Sequence, residues 1–259
     1  MKPNRQAESF YSTALRHLLR SGVPFLIGGA YAMREYGGIF RDTKDMDVFC
    51  VPGEYPRILQ VFAGAGFRTE VTHPHWVAKA FQGEYFVDII FGSSNDLCPV
   101  DDLWFQYARK VHLFAFAILL IPPEEMIWSK AYVQDRYRFD GADIAHILRK
   151  MGGELDWQRL LVRMDRDWEV LLAHLINFRF AYPSERDIVP EWILRELSSR
   201  IQQQLGEPAL PERICRGPLL TPHDYQIDIT EWGYRDPRTR PPGGNHFQRN
   251  DEGADRRVG

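Results

Sequence analysis

The residues best suited to chemistry fall in three short stretches. Asp45 and Asp47 flank Met46 in Asp45-Met46-Asp47-Val48-Phe49-Cys50-Val51, a run that alternates with the period of a strand. Both carboxylates therefore point to one face, while Met46 and Val48 point to the other, into a core. Two like charges a few Å apart are unfavourable unless a cation or solvent offsets them. A solvated strand end would tolerate such a pair. Mg²⁺ would use it, because that ion takes hard oxygen ligands and leaves room for phosphates. Asp88 stands in the middle of Phe86-Val87-Asp88-Ile89-Ile90-Phe91. A carboxylate among large apolar residues is costly to bury without a partner. Alternation points it away from Val87 and Ile89, toward water if the strand is half exposed. Brought beside Asp45 and Asp47 by a neighbouring strand, it would complete a site for two metal ions. Gly28-Gly29 is the third piece. A glycine pair after a buried strand and before a helix is either a tight turn or a place where backbone N–H groups approach a phosphate.

These stretches need elements to position them. A helix is expected over residues 7–21, with Leu15, Leu18 and Leu19 on one face, followed by a short buried strand over 23–27 and a second helix over 30–36. The polar loop Arg41-Asp42-Thr43-Lys44 leads into a strand over 45–51. Residues 55–65 read as a helix. Residues 76–81 and 85–91 flank Gln82-Gly83-Glu84 and predict a hairpin. Residues 111–121 supply one or two more strands before Pro122-Pro123.

After that point the apolar period lengthens toward that of a helix. A helix is expected over 124–137, with Glu124 and Glu125 set against its positive end. Asp140 would cap a helix ending near Gly152-Gly153, and Asp156 the next one. Further helices follow over 166–182 and 191–205, with Trp168 and Trp192 at core positions. Beyond Gly206, Thr221-Pro222-His223-Asp224 forms a capping box before a short helix that ends at Gly233. Residues 234–259 have almost nothing to bury and read as disordered. The chain thus divides into 1–121, a β-rich α/β core; 122–205, a helical domain; and 206–259, an extension with one short helix.

Gly28-Gly29, then Arg41-x-Thr43-Lys44-Asp45-Met46-Asp47-Val48, then Val87-Asp88-Ile89-Ile90 resembles the nucleotidyltransferase superfamily. The stretch Pro122-Pro123-Glu124-Glu125-Met126-Ile127-Trp128-Ser129-Lys130, continued by Asp140-Gly141-Ala142-Asp143-Ile144, is similar to a block in the abortive-infection type of nucleotidyltransferase toxins. The resemblance covers roughly residues 20–150. It implies a polymerase-beta-like mixed α/β sheet with flanking helices, then a helical C-terminal domain. It also implies Mg²⁺, with Mn²⁺ as a substitute, and a nucleoside triphosphate as substrate. Asp45 and Asp47 would bind the ion that bridges the phosphates. Asp88 would share a second ion and help deprotonate an acceptor hydroxyl. Gly28 and Gly29 would cradle the phosphates, and Arg41, Thr43 and Lys44 would hold the leaving pyrophosphate. Lys130 would reach the triphosphate as a point charge. The acceptor stays open between a tRNA end, a protein and a small molecule, and a cognate partner protein belongs to the toxin–antitoxin setting.

Composition sets the outer bounds. The 259 residues suit one large domain or two small ones, and 44% hydrophobic with 26% charged residues is the balance of an ordinary globular core. A net charge of -3 excludes a generally basic nucleic-acid coat. Cys50, Cys98 and Cys215 are odd in number and far apart, which predicts a reducing, cytoplasmic setting. No apolar run approaches the roughly 20 residues of a membrane span, and no export signal precedes the first helix. His73-Pro74-His75 has no further His or Cys nearby and reads as a loop. Asp140 and Asp143 read as a cap and a helix-face residue. Two rival functions fit the same carboxylates: an Asp-x-Asp metal-dependent glycosyltransferase, which leaves Gly28-Gly29 and Asp88 unexplained, and an inactive nucleotide-binding module, which has no need of three like charges.

Overall fold

A computed structural model describes residues 5–41 and 43–238. The chain forms α1 (Arg5–Ser21), β1 (Leu26–Ile27), α2 (Gly29–Gly37), β2 (Asp45–Phe49), α3 (Tyr55–Gly64), β3 (Arg68–His73), β4 (Val77–Gln82) and β5 (Tyr85–Ile90). Then come α4 (Asp102–Gln106), β6 (Arg109–Leu113), β7 (Phe116–Leu120), α5 (Pro123–Ala131), α6 (Gly141–Met151), α7 (Trp157–Arg163), α8 (Trp168–Ala181), α9 (Glu191–Leu205) and α10 (Gln226–Thr230). The strands make one mixed sheet in the order β3-β4-β5-β2-β1-β7-β6. Pairing is antiparallel except between β2 and β5 and between β1 and β7. The fold is thus the expected mixed α/β sheet with flanking helices.

Alternation decides what each side of the sheet does. Met46, Val48, Val87, Ile89, Ala78 and Ala80 are buried on one side, under α1 and α3. Asp45, Asp47 and Asp88 fall on the other. The same apolar core continues through α5, α6, α7, α8 and α9, so the sheet and the helices after Ile121 share one interior. Asp156 does cap α7, accepting from the Arg159 N–H at 2.9 Å.

Several elements differ from the sequence expectation, each for a local reason. The helix expected over 124–137 stops at Ala131. The Asp135 carboxylate accepts from the Tyr137 N–H at 2.8 Å, and Asp135 and Arg138 exchange backbone hydrogen bonds, which turns the chain back instead of continuing the helix. Glu124 and Glu125 are not simply dipole partners. They are buried at 2% and 0% exposure and pair with Arg159 of α7, which lies 2.5 Å from Glu125. Arg163 adds a bond to Glu125 at 3.1 Å. The strand expected over 23–27 narrows to β1, and β3 and α4 were not foreseen. Trp192 is 45% exposed, not core, and Leu19 and Ile176 also face outward. Of the stretch expected to be disordered, residues 239–259 lie outside the described residues. Residues 234–238 are tied down: Arg235 bridges to Ile214, and the Arg213 guanidinium lies 4.5 Å from the Tyr234 ring centroid. Among the described residues no helix is long and apolar enough to cross a membrane.

The Glu124–Glu125–Arg159 cluster yields a stability prediction. Removing one partner of a buried ion pair strands the other charge and typically costs about 3–5 kcal/mol. Arg163 still holds Glu125, so Arg159→Leu should lose about 3 kcal/mol in urea unfolding, the lower end of that range. Adding Glu124→Gln and Glu125→Gln should return part of the loss. An Arg159→Leu protein as stable as wild type would contradict this account.

Candidate active site

Strand register assembles the acidic face. In the β2–β5 ladder Asp47 stands directly beside Asp88, and Asp45 beside Phe86. In the β4–β5 ladder Lys79 stands beside Asp88. Lys79, Asp88 and Asp47 therefore form a row across three strands, with Asp45 one step along the last. The Lys79 Nζ donates to Asp88 Oδ1 at 2.6 Å and sits 4.4 Å from the Phe86 ring centroid.

The glycine pair closes the other side of Asp47. The Gly28 N–H donates to the Asp47 carbonyl at 3.0 Å, which pins the start of α2 to β2. Gly29 takes a left-handed φ of +53°, and a Cβ there would stand 1.5 Å from Asp47 Oδ2. Only glycine satisfies both constraints, so the N-terminal turn of α2 lies against the Asp47 carboxylate. At Gly28 a Cβ would meet the Phe49 ring at 2.3 Å.

The electrostatics follow from this crowding. Burial, then the charges of Asp45 and Asp88, push the Asp47 carboxyl up to about 7. Burial also raises Asp88, against the pull of Lys79. The Thr43 hydroxyl donates to Asp45 Oδ1, and the Asp45 N–H donates to Thr43 Oγ1 at 3.3 Å. No hydrogen bond to the Asp47 carboxylate is present among the described residues. A pair of close carboxylates, one of them with no donor of its own, is a donor set suited to a hard divalent cation.

A second layer of charge faces Asp47 from the helical side. Lys130 on α5 bonds Asp140 at 2.7 Å and Asp143 at 2.8 Å. Arg41 bonds Asp143 at 2.5 and 3.1 Å, and Arg138 bonds Asp140 at 3.2 and 3.3 Å. Three cations thus share two carboxylates, and the positive charges of Lys130 and Arg138 reach Asp47 and draw its carboxyl down. Asp143 is held below the usual carboxylate range: burial raises it, and Arg41 and Lys130 outweigh that. Asp140 begins α6 but its side chain makes no capping bond; it serves the ion cluster instead.

The structure therefore brings Asp45, Asp47, Asp88, Gly28 and Gly29 together, with Lys130 facing Asp47 through its own carboxylate partners. Arg41, Thr43 and Lys44 line a cleft of about 320 Å³ between α1, α2 and the loop before β2, walled by Tyr11, Tyr31 and Phe114. Asp45, Asp47, Asp88, Gly28, Gly29 and Lys130 do not line it. Among the described residues no three His, Cys, Asp or Glu groups gather closely enough to hold one ion jointly. Sequence reasoning missed Lys79 and Arg138. Lys79 was findable: Gln82 pairs with Tyr85 across the hairpin turn, and counting back equally on both arms sets Lys79 opposite Asp88.

No family model matches this chain, and no curated protein does. Solved structures do. An antigenic nucleotidyltransferase-like protein from Paracoccidioides brasiliensis is similar at 17% identity over 72% of this chain and 94% of its own, with a TM-score of 0.46. ANT(2'')-Ia, solved in complex with adenylyl-2''-tobramycin, is similar at 15% identity over 69% of this chain and 99% of its own, also at 0.46. JHP933 from Helicobacter pylori is similar at 13% identity over 80% of this chain and 100% of its own, at 0.42.

The crowded, half-buried Asp47 carboxyl makes a pH prediction. Its carboxyl stays protonated in the folded protein up to about 7 but ionises at 3.8 in an unfolded chain, so folding loses stability as pH rises through that window. In metal-free buffer, Asp47→Asn should melt several degrees above wild type at about pH 8, with the gap closing toward about pH 4. Mg²⁺ should raise the melting temperature of wild type and leave that of Asp47→Asn unmoved. An Asn variant no more stable than wild type at high pH would contradict the burial of charge.

Proposed function

We propose that this acidic face transfers a nucleotidyl group from a nucleoside triphosphate to an acceptor hydroxyl and releases pyrophosphate. The observation that carries the reading is the β2–β5 register, which sets Asp88 beside Asp47 while Gly29 seats the Asp47 carboxylate against the start of α2. Asp45 and Asp47 are the residues that would hold Mg²⁺, or Mn²⁺ in its place. When bound, the ion neutralises phosphate oxygens and orients the α-phosphate for in-line attack.

The chain's own groups divide the remaining work. Gly28 and Gly29 let the phosphates approach backbone N–H groups at the helix end. Lys130, with Arg138 beside it, presents positive charge toward the triphosphate. Arg41, Thr43 and Lys44, at the edge of the cleft, face the leaving pyrophosphate. The acceptor oxygen forms a bond to the α-phosphorus as the bond from that phosphorus to the β-phosphate's bridging oxygen breaks. The proton of the acceptor hydroxyl passes toward the Asp88 carboxylate, the acid next to Asp47 in the row. The helical half, beginning with α5 and α6, would form the other wall of the site and choose among a tRNA end, a protein or a small molecule.

Incubation with Mg²⁺, each of the four triphosphates labelled at the α-phosphate, and total cell RNA and protein tests this directly. Wild type should place label in one acceptor class. The Asp45→Ala/Asp47→Ala double variant should lose at least about 100-fold, on the scale of removing one preorganised electrostatic contact. Equal labelling by the double variant would overturn the reading.

A further inference from the structure

Lys79 holds one of the two carboxylate oxygens of Asp88. Its Nζ is 2.6 Å from Asp88 Oδ1, and the contact is fixed from three directions. Strand β4 lies inside the sheet between β3 and β5, so the Lys79 backbone is locked in register opposite Asp88. The Phe86 ring lies 4.4 Å beneath the ammonium, a favourable cation–π distance. Both side chains are largely withdrawn from water, at 24% and 16% exposure. The three carboxylates do not gather round a common point among the described residues.

We propose that Lys79 is the permanent counter-ion of Asp88, so that the acidic face takes a single divalent cation, on Asp45 and Asp47, in place of a pair. The inference rests on the reading of Asp45 and Asp47 as the metal carboxylates. It replaces the sequence expectation that Asp88 shares a second ion and leaves Asp88 as a hydrogen-bond acceptor for the incoming hydroxyl. Lys79 is then a positioning residue that keeps Asp88 turned into the row.

Counting bound Mn²⁺ tests this without any turnover. Full-length protein is titrated with Mn²⁺ alone, and free Mn²⁺ is read from its electron paramagnetic resonance signal. Wild type should bind one ion, and Asp45→Asn/Asp47→Asn none. Asp88→Asn, which preserves shape, should still bind one ion with affinity within about 100-fold of wild type, the range seen when only an outer partner of a ligand is lost. Lys79→Met, checked for folding by circular dichroism, should bind two, and Lys79→Arg one. Wild type binding two ions would overturn the proposal, as would Lys79→Met holding at one or Asp88→Asn losing more than about 100-fold. The Asp88→Asn arm decides the matter even where Lys79→Met fails to fold. Wild type binding no ion would instead sink the metal reading of Asp45 and Asp47, and the proposal with it.

Discussion

Asp47 is a carboxyl group set between two others, Asp45 on its own strand and Asp88 across the ladder. The repulsion cannot be relieved by moving the strands, because the alternating residues Met46, Val48, Val87 and Ile89 are locked into the core on the opposite face. Like charges a few Å apart in a partly buried setting interact by several kcal/mol, so the charge has to be met where it stands. Lys79 meets it at Asp88, Thr43 at Asp45, and the first turn of α2 with Lys130 and Arg138 at Asp47. Even so, Asp47 stays far above the ordinary carboxylate range. A fold that keeps such a group gives up stability at a place where an incoming cation would restore it, which is how active sites commonly use perturbed acids.

The helical half is bound to this face by charge as well as by apolar packing. Arg41, in the loop before β2, reaches Asp143 on α6, and Lys130 on α5 reaches both Asp143 and Asp140. Behind them, Arg159 and Arg163 fasten α7 to the buried Glu124 and Glu125 at the start of α5, and Arg163 continues to Asp101 just before α4. The two clusters differ in purpose. In the rear cluster Glu125 and Glu124 are closed off at 0% and 3% side-chain exposure, and their pairing sets the position of α5. The front cluster opens toward Asp47 and has a cation in excess, which suits a site that receives a polyanion.

Much of this was legible in the sequence because it depends on alternation and punctuation. The period of two placed Asp45 and Asp47 on one face and turned Asp88 away from Val87 and Ile89, and Gly83 marked the hairpin between β4 and β5. The glycine pair marked the junction of β1 and α2. What escaped is what depends on tertiary partners. Glu124 and Glu125 look like helix-start acids until Arg159, more than 30 residues on, comes to meet them. Asp135 ends the helix early by a side-chain bond that local propensity does not reveal. Trp192 satisfies the helical period of α9 yet faces outward, because that helix packs its stripe through Ile193 and Leu197 instead. Lys130 was readable as a cation near the site, but its two carboxylate partners were not.

The central claim is that Asp45 and Asp47 exist to hold a cation against phosphates delivered to the start of α2. A crystal of the protein grown with Mn²⁺ and a triphosphate whose α–β bridge cannot be cleaved tests it most directly. The account predicts an anomalous manganese peak between the carboxylates of Asp45 and Asp47, with the triphosphate along Gly28 and Gly29. Manganese and nucleotide bound at another place in the fold, with Asp45 and Asp47 touching neither, would contradict it.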